Sequence, residues 1–212
     1  MVIIEASIRK FPDIEEIVKS EFSLSLEQGT KDTVQLNPVE RLNSITKVWD
    51  TCKNKIGNPA LALDVGSGFG YGTVFLESQN IKTIGIENVG KKIKQGQELF
   101  RLIGLDIPDI NKLDFSKHPA FYEGDINAIN DDIQVDLITL FYLSLEMVSR
   151  MKTFETLQKL LKKDGTVLLA TEANIEDVQA VLKSNFIPVS FSHEIIEVPD
   201  NFEKTAILLK LK

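Results

Sequence analysis

One stretch narrows the possible folds more than any other: Leu61-Ala-Leu-Asp64-Val-Gly66-Ser67-Gly68-Phe-Gly70-Tyr71-Gly72. An apolar run suited to a buried strand passes directly into a turn with glycine at alternate positions, and then into a helical stretch, Tyr71 to Ser78. Glycine permits a positive φ in a tight strand-to-helix turn, and its missing Cβ lets a ligand approach the main chain. In an open α/β sheet such a turn lies beyond the carboxyl end of a strand, where ligands bind.

The sequence that follows keeps alternating. Strands are predicted at Leu61–Val65, at Lys82–Glu87, opening at Phe121-Tyr122, at Val135–Phe141 and at Thr166–Thr171. Helices are predicted from about Val89 to Ile103, from Met151 to Leu161 and from Ile175 to Leu182. Strand–helix alternation implies a mostly parallel sheet with helices on both faces. Two closing β-rich runs, Pro188–Val198 and Thr205–Leu211, are separated by little more than a Pro-Asp-Asn turn, so they pair antiparallel. The polar segment 104–119 reads as an insertion, and Gly165 as the C-cap of the preceding helix.

Residues 1–55 differ in texture and are expected to form a helical extension or substrate lid on a domain spanning 56–212. Ile14, Ile17 and Val18 recur at helical spacing, and residues 22–37 carry loop composition. A second helix should begin at Asn37-Pro38, a good cap followed by a residue that fits the first helical position. Its Leu42, Ile45, Val48 and Trp49 fall on one face.

Spacing limits which ligand the glycine turn serves. A dinucleotide fingerprint needs G-x-G-x-x-G, but the third position falls on Tyr71 or Thr73. A P-loop needs a lysine after its glycines, and none occurs between Lys55 and Lys82. A short-chain reductase would need Tyr-x-x-x-Lys; the residues four past Tyr71, Tyr122 and Tyr142 are Phe75, Ile126 and Glu146.

What remains is an acid at the strand end followed by G-x-G-x-G: Asp64, Gly66, Gly68 and Gly70. This resembles the first motif of the class I S-adenosylmethionine-dependent methyltransferases. The resemblance implies a doubly wound, Rossmann-like, mostly parallel seven-stranded sheet with an antiparallel C-terminal strand. It implies S-adenosylmethionine as cofactor and S-adenosylhomocysteine as product. Gly66, Ser67, Gly68, Gly70 and Tyr71 would then form the cofactor turn. The cofactor carries an ammonium and a sulfonium and no phosphate, so Asp64 suits its cationic amino-acid end, directly or through water. Glu87, with Asn88 beside it, follows the glycines by about twenty residues, where an acid accepts from ribose hydroxyls. Glu123-Gly124-Asp125-Ile126 resembles the family's G-D motif, implying that Asp125 meets the adenine amino group and Ile126 covers the ring.

For the acceptor, the segment Thr139-Leu-Phe141-Tyr142-Leu-Ser144 lacks the Asn/Asp-Pro-Pro-Tyr/Phe of enzymes that modify nucleobase amines, and no acidic metal set accompanies it. It is similar instead to the seven-strand protein lysine methyltransferases, as are Gly85-Ile86-Glu87 and the proline-led Pro38-Val-Glu-Arg41. The longer amino-terminal segment and residues 104–119 depart from that group. Phe141 and Tyr142 are the candidate catalytic residues, lining a channel whose desolvation would favour a neutral amine, and Phe141 is also expected in the cofactor site. The expected acceptor is an amine, with a protein lysine as the named candidate. The alternatives are a small-molecule O- or N-methyltransferase and an inactive cofactor-binding partner subunit.

Composition sets outer bounds. A net charge of −7, from 24 basic and 31 acidic side chains, disfavours an extensive nucleic-acid interface. Lys91, Lys92 and Lys94 read as a solvated helix face. The one cysteine, Cys52, excludes an internal disulfide or a multi-thiolate zinc site. Neither a signal peptide nor a membrane span is legible, so a cytoplasmic protein is expected. His118 and His193 receive no catalytic role, since His193-Glu-Ile-Ile-Glu197 is not the zinc-protease pattern.

Overall fold

The computed structural model describes residues 38–102, 104–129, 133–143, 154–183 and 190–212. The expected helix around Ile14–Val18, the 22–37 loop and the start of the helix expected at Met151 lie outside them.

Helix α1 (Pro38–Ile56) starts where the Asn-Pro pair placed it. Ile45, Val48, Trp49 and Cys52 are buried at helical spacing, with Leu42 packed at the margin. These side chains share one apolar cluster with the helices and strands that follow, although they belong to the segment expected as an extension.

The order continues β1 (Leu61–Val65), α2 (Tyr71–Ser78), β2 (Lys82–Glu87), α3 (Gly90–Leu102), β3 (Asp109–Ile110), β4 (Ala120–Glu123) and β5 (Val135–Leu143). Helix α4 (Phe154–Leu160), β6 (Leu161–Thr171), α5 (Ile175–Lys183), β7 (Phe191–Glu197) and β8 (Thr205–Leu211) complete it. The sheet order is β3-β4-β2-β1-β5-β6-β8-β7. All pairs are parallel except those of β8, which runs antiparallel to both β6 and β7.

Alternation along the strands divides the core between two faces. Ala62, Leu137, Leu168 and Leu208 point to the face covered by α1, α2 and α3. Leu63, Ile138, Val167 and Leu209 point to the face covered by α4 and α5. Successive strands step outward from β1 through β2 and β4, and then return to β5 on the other side of β1. The crevice at the carboxyl ends of β1 and β5 is therefore the switch point at which such sheets bind ligands.

Two expectations need correction. The sheet has eight strands, not seven, because the supposed insertion contributes β3. Its two residues pair with Phe121 and Tyr122, Phe121 N–H donates to the Pro108 carbonyl at 2.9 Å, and Ile110 is buried. Gly165 is not a C-cap but lies inside β6, which begins at the residue after α4. A Cβ there would stand 2.7 Å from Leu161 Cδ1, where the β5–β6 register shifts.

His118 lies away from the carboxyl edge. Its Nδ1 meets Glu77 Oε1 near the end of α2, and Glu77 Oε2 accepts from Thr83 N–H at 3.0 Å. Burial pushes the Glu77 carboxyl up, against these hydrogen bonds. His118→Ala removes one of the two partners of a buried carboxylate and should cost about 1–3 kcal/mol, read as a lowered denaturation midpoint with unchanged slope. Unchanged stability would show that the pair does not support the fold. His193 is exposed on the edge strand β7. Lys91, Lys92 and Lys94 are exposed on α3 around the buried Ile93. Among the described residues no helix is long and apolar enough to cross a membrane.

Candidate functional site

The turn after β1 is held in a form that only its glycines reach easily. Gly66, Gly68 and Gly70 have φ of 69°, 57° and 89°. The N–H groups of Gly66 and Ser67 both donate to the Ile86 carbonyl, at 2.8 and 3.0 Å, which pins the turn to β2. A Cβ on Gly66 would meet nothing within 4 Å, so this side of the turn faces open space. Ser67 Oγ is buried without a hydrogen-bond partner.

Asp64, on β1, is 2% exposed. Its Oδ2 accepts from Thr73 Oγ1 at 2.9 Å, and its Oδ1 from Thr139 Oγ1 at 3.0 Å. Thr139 lies directly across the β1–β5 pairing, and Thr73 is in the first turn of α2. Gly72 makes room for the carboxylate, since a Cβ there would be 2.7 Å from Oδ2 and 2.9 Å from Phe141 Cδ2. Burial outweighs the hydroxyl partners and pushes the Asp64 carboxyl up to about 6, with the Glu87 charge acting in the same direction.

Glu87 ends β2 and is 5% exposed. Its Oε2 accepts from Gly68 N–H at 2.9 Å, and its Oε1 from Val89 N–H at 3.0 Å. The carboxylate thus braces the glycine turn from below while keeping acceptor sites for further donors. Asn88 beside it is exposed. Gly124 N–H donates to the Glu87 carbonyl at 3.0 Å, which brings the end of β4 alongside. There Asp125 is exposed, with Oδ1 accepting from Asn127 N–H and Nδ2, both at 2.9 Å. Ile126 is buried in the core on the α4–α5 side.

Phe141 and Tyr71 are buried in the other face cluster, and Tyr71 meets Phe100 edge-on at 6.1 Å. Tyr142, at the end of β5, has a φ of 60°. Its hydroxyl donates to the Arg41 carbonyl at 2.7 Å, and the Arg41 guanidinium lies over the ring at 4.9 Å. Burial pushes the phenols of Tyr71 and Tyr142 well above their ordinary range, so both stay protonated near neutral pH.

The structure therefore gathers Asp64, the glycine turn, Glu87 and Asp125 along one carboxyl edge, with Phe141 and Tyr142 on the β5 side. It also shows partners that the sequence did not announce. Thr73 and Thr139 hold Asp64. Glu203, from the turn between β7 and β8, accepts from Tyr142 N–H at 2.8 Å and Ser44 Oγ at 3.1 Å. Burial pushes the Glu203 carboxyl up to about 7, with the Asp64 charge adding to it and Arg41 opposing it.

These shifts have a sign that stability measurements can read. For Asp64 and Glu203 the folded value lies above that of an unfolded chain, so ionisation works against the fold. Their contribution is complete below about pH 4 and is lost as pH rises through about 6 and about 7. Melting temperature is expected to fall between about pH 5 and about pH 8, and Asp64→Asn should flatten that slope. A wild-type melting temperature that rises over this range would contradict the assignment.

No protein-family model matches the chain, and no curated protein does. Solved structures do match. An S-adenosylmethionine-dependent methyltransferase from Clostridium acetobutylicum aligns with a TM-score of 0.57 at 14% identity, covering 91% of this chain and 98% of that one. A ribosomal protein methylase from Lactobacillus delbrueckii subsp. bulgaricus aligns with a TM-score of 0.57 at 16% identity, covering 80% and 79%. A 16S rRNA methyltransferase, RmtF, solved with S-adenosylhomocysteine, aligns with a TM-score of 0.55 at 16% identity, covering 82% and 64%. The chain has the fold of the class I methyltransferases. That fold also carries an enzyme named for rRNA, so the exclusion of nucleic acid drawn from net charge gains no support.

Proposed function

We propose that this protein is an S-adenosylmethionine-dependent methyltransferase whose site is the carboxyl edge of β1, β2, β4 and β5. The observation that carries this reading is the pair of buried carboxylates, Asp64 and Glu87, set around a glycine turn that opens to space. A site of that charge suits a ligand with cationic groups and no phosphate. The cofactor, when bound, supplies a methyl group on a sulfonium, which is already activated for in-line displacement.

The chain's task is then to bind, align and exclude water. The main chain of Gly66, Ser67 and Gly68 would receive the amino-acid end. Asp64 would act on the ammonium through its field, since it is 2% exposed and Gly72 packs over its oxygens. Glu87 would use its remaining lone pairs for the ribose hydroxyls, with Asn88 beside it, and Asp125 would meet the adenine amino group with Ile126 below. Gly70 and Tyr71 would shape the start of α2 behind the cofactor.

For the acceptor we favour an amine, with protein lysine as the candidate. A lysine amine is mostly ammonium at neutral pH, and the apolar, aromatic side formed by Phe141 and Tyr142 favours its neutral form through desolvation. Tyr142 acts as wall rather than base, because its hydroxyl is already donated to Arg41. The contacts of Arg41 and Ser44 with Tyr142 and Glu203 support placing α1 at the acceptor entrance. A small-molecule acceptor would use the same walls.

The test is incubation with methyl-labelled cofactor and cell extract, followed by separation into protein, RNA and small-molecule fractions. Label on protein lysine is expected. Label confined to small molecules or RNA would replace the acceptor assignment and keep the cofactor one.

A further inference from the structure

Glu203 lies in the turn joining β7 to β8, and its side chain is fully buried. A carboxylate in a hairpin turn ordinarily stays in water, so burial there demands partners. It finds them on two other elements. Oε2 accepts from Ser44 Oγ on α1 at 3.1 Å, and Oε1 accepts from the main-chain N–H of Tyr142 at 2.8 Å. The whole turn is fastened to the same helix. Asn201 Nδ2 donates to the Ser44 carbonyl at 3.2 Å, and Lys47 Nζ donates to the Asp200 carbonyl at 2.6 Å.

The residue it grips is a strained one. Tyr142 has a φ of 60°, a left-handed conformation that a bulky aromatic residue adopts only when its surroundings impose it. Its ring end is held separately, by the hydroxyl bond to the Arg41 carbonyl and by Phe202 at 6.0 Å. The main-chain end is held by Glu203. No hydrogen bond joins Glu203 to the glycine turn or to Glu87 among the described residues.

We propose that Glu203 is a positioning residue for the methyl acceptor: by fixing the main chain of Tyr142, it sets the wall along which the acceptor nitrogen reaches the methyl group, without taking part in cofactor binding. This rests on the carboxyl edge being the methyl-transfer site. It gives the C-terminal hairpin a part in acceptor use.

Two conservative variants of the full chain separate geometry from charge. Glu203→Gln keeps a carbonyl oxygen in reach of Tyr142 N–H but removes the charge. Glu203→Asp keeps the charge but is one methylene too short to hold Tyr142 and Ser44 together. Three quantities are measured: affinity for S-adenosylmethionine by calorimetry, transfer of labelled methyl to cell extract, and hydrogen exchange at the Tyr142 amide.

Glu203→Gln should stay near wild type in all three. Glu203→Asp should bind the cofactor within about threefold of wild type, lose transfer by about a hundredfold, and exchange the Tyr142 amide at least about tenfold faster. Cofactor affinity falling in step with transfer, full transfer by the Asp variant, or unchanged Tyr142 exchange would each overturn the proposal. A wild-type chain that fails to bind the cofactor would instead overturn the methyltransferase reading, while Tyr142 exchange still decides whether Glu203 holds that residue.

Discussion

Glu87→Ala is expected to weaken S-adenosylmethionine binding by at least about a hundredfold, the largest single-residue effect on affinity that the site predicts. Two losses combine. The ribose hydroxyls would lose their acceptor, and the N–H groups of Gly68 and Val89 would lose theirs. Hydrogen bonds to an ionised group contribute roughly 1.5–3 kcal/mol each, so even partial loss of the turn's shape reaches the stated magnitude. Glu87→Gln retains one acceptor oxygen and should fall between the two. Calorimetric titration checks the series. Equal affinity in all three proteins would mean that Glu87 braces the fold and nothing more.

The largest effect on stability is expected from Gly70→Ala. Two penalties coincide at this residue. Its φ of 89° is one that alanine adopts at a cost, and a Cβ would stand 2.4 Å from Phe121 Cζ and 3.3 Å from Phe100 Cε2. Phe121 is fully buried in its cluster, where close packing resists displacement of the ring. Overpacking together with the left-handed penalty costs about 2–4 kcal/mol, which in a chain of this size lowers the melting temperature by roughly 5–15 °C. A change of less than a degree would show that the turn adopts another conformation in solution.

Much of this architecture is legible in the sequence because two signals coincide there. At β1 and β2 the apolar runs end on an acid, and the alternate glycines that follow β1 mark a tight turn with positive φ. The bounds Leu61–Val65, Tyr71–Ser78 and Lys82–Glu87 therefore agree between sequence and structure. β3 had no such signal. Two residues in a polar segment show no periodicity, and their pairing with Phe121 and Tyr122 is a tertiary event. Gly165 misled because Lys162-Lys-Asp ahead of it looks like the exposed end of a helix, whereas β6 already begins at Leu161 and passes through a register shift.

The site divides along similar lines. The residues that face a ligand stand in motifs, and motifs can be read. The residues that hold them do not. Thr73 and Thr139 look like ordinary helix and strand threonines until the β1–β5 register sets Thr139 beside Asp64. Glu203, a few residues past a Pro-Asp-Asn turn, has the local composition of a solvated loop. Only the docking of that turn on α1 buries it. Thr139 and Glu203 lie too far along the chain from their partners for local pattern to connect them.

In the reading proposed above, the carboxyl edge serves a sulfonium nucleoside and not a dinucleotide. The most direct measurement is a calorimetric titration of the full chain with S-adenosylmethionine, set beside the same titration with NADH. Saturable binding of one S-adenosylmethionine per chain and no heat of binding with NADH are expected. Binding of NADH, or silence with S-adenosylmethionine, would contradict that reading.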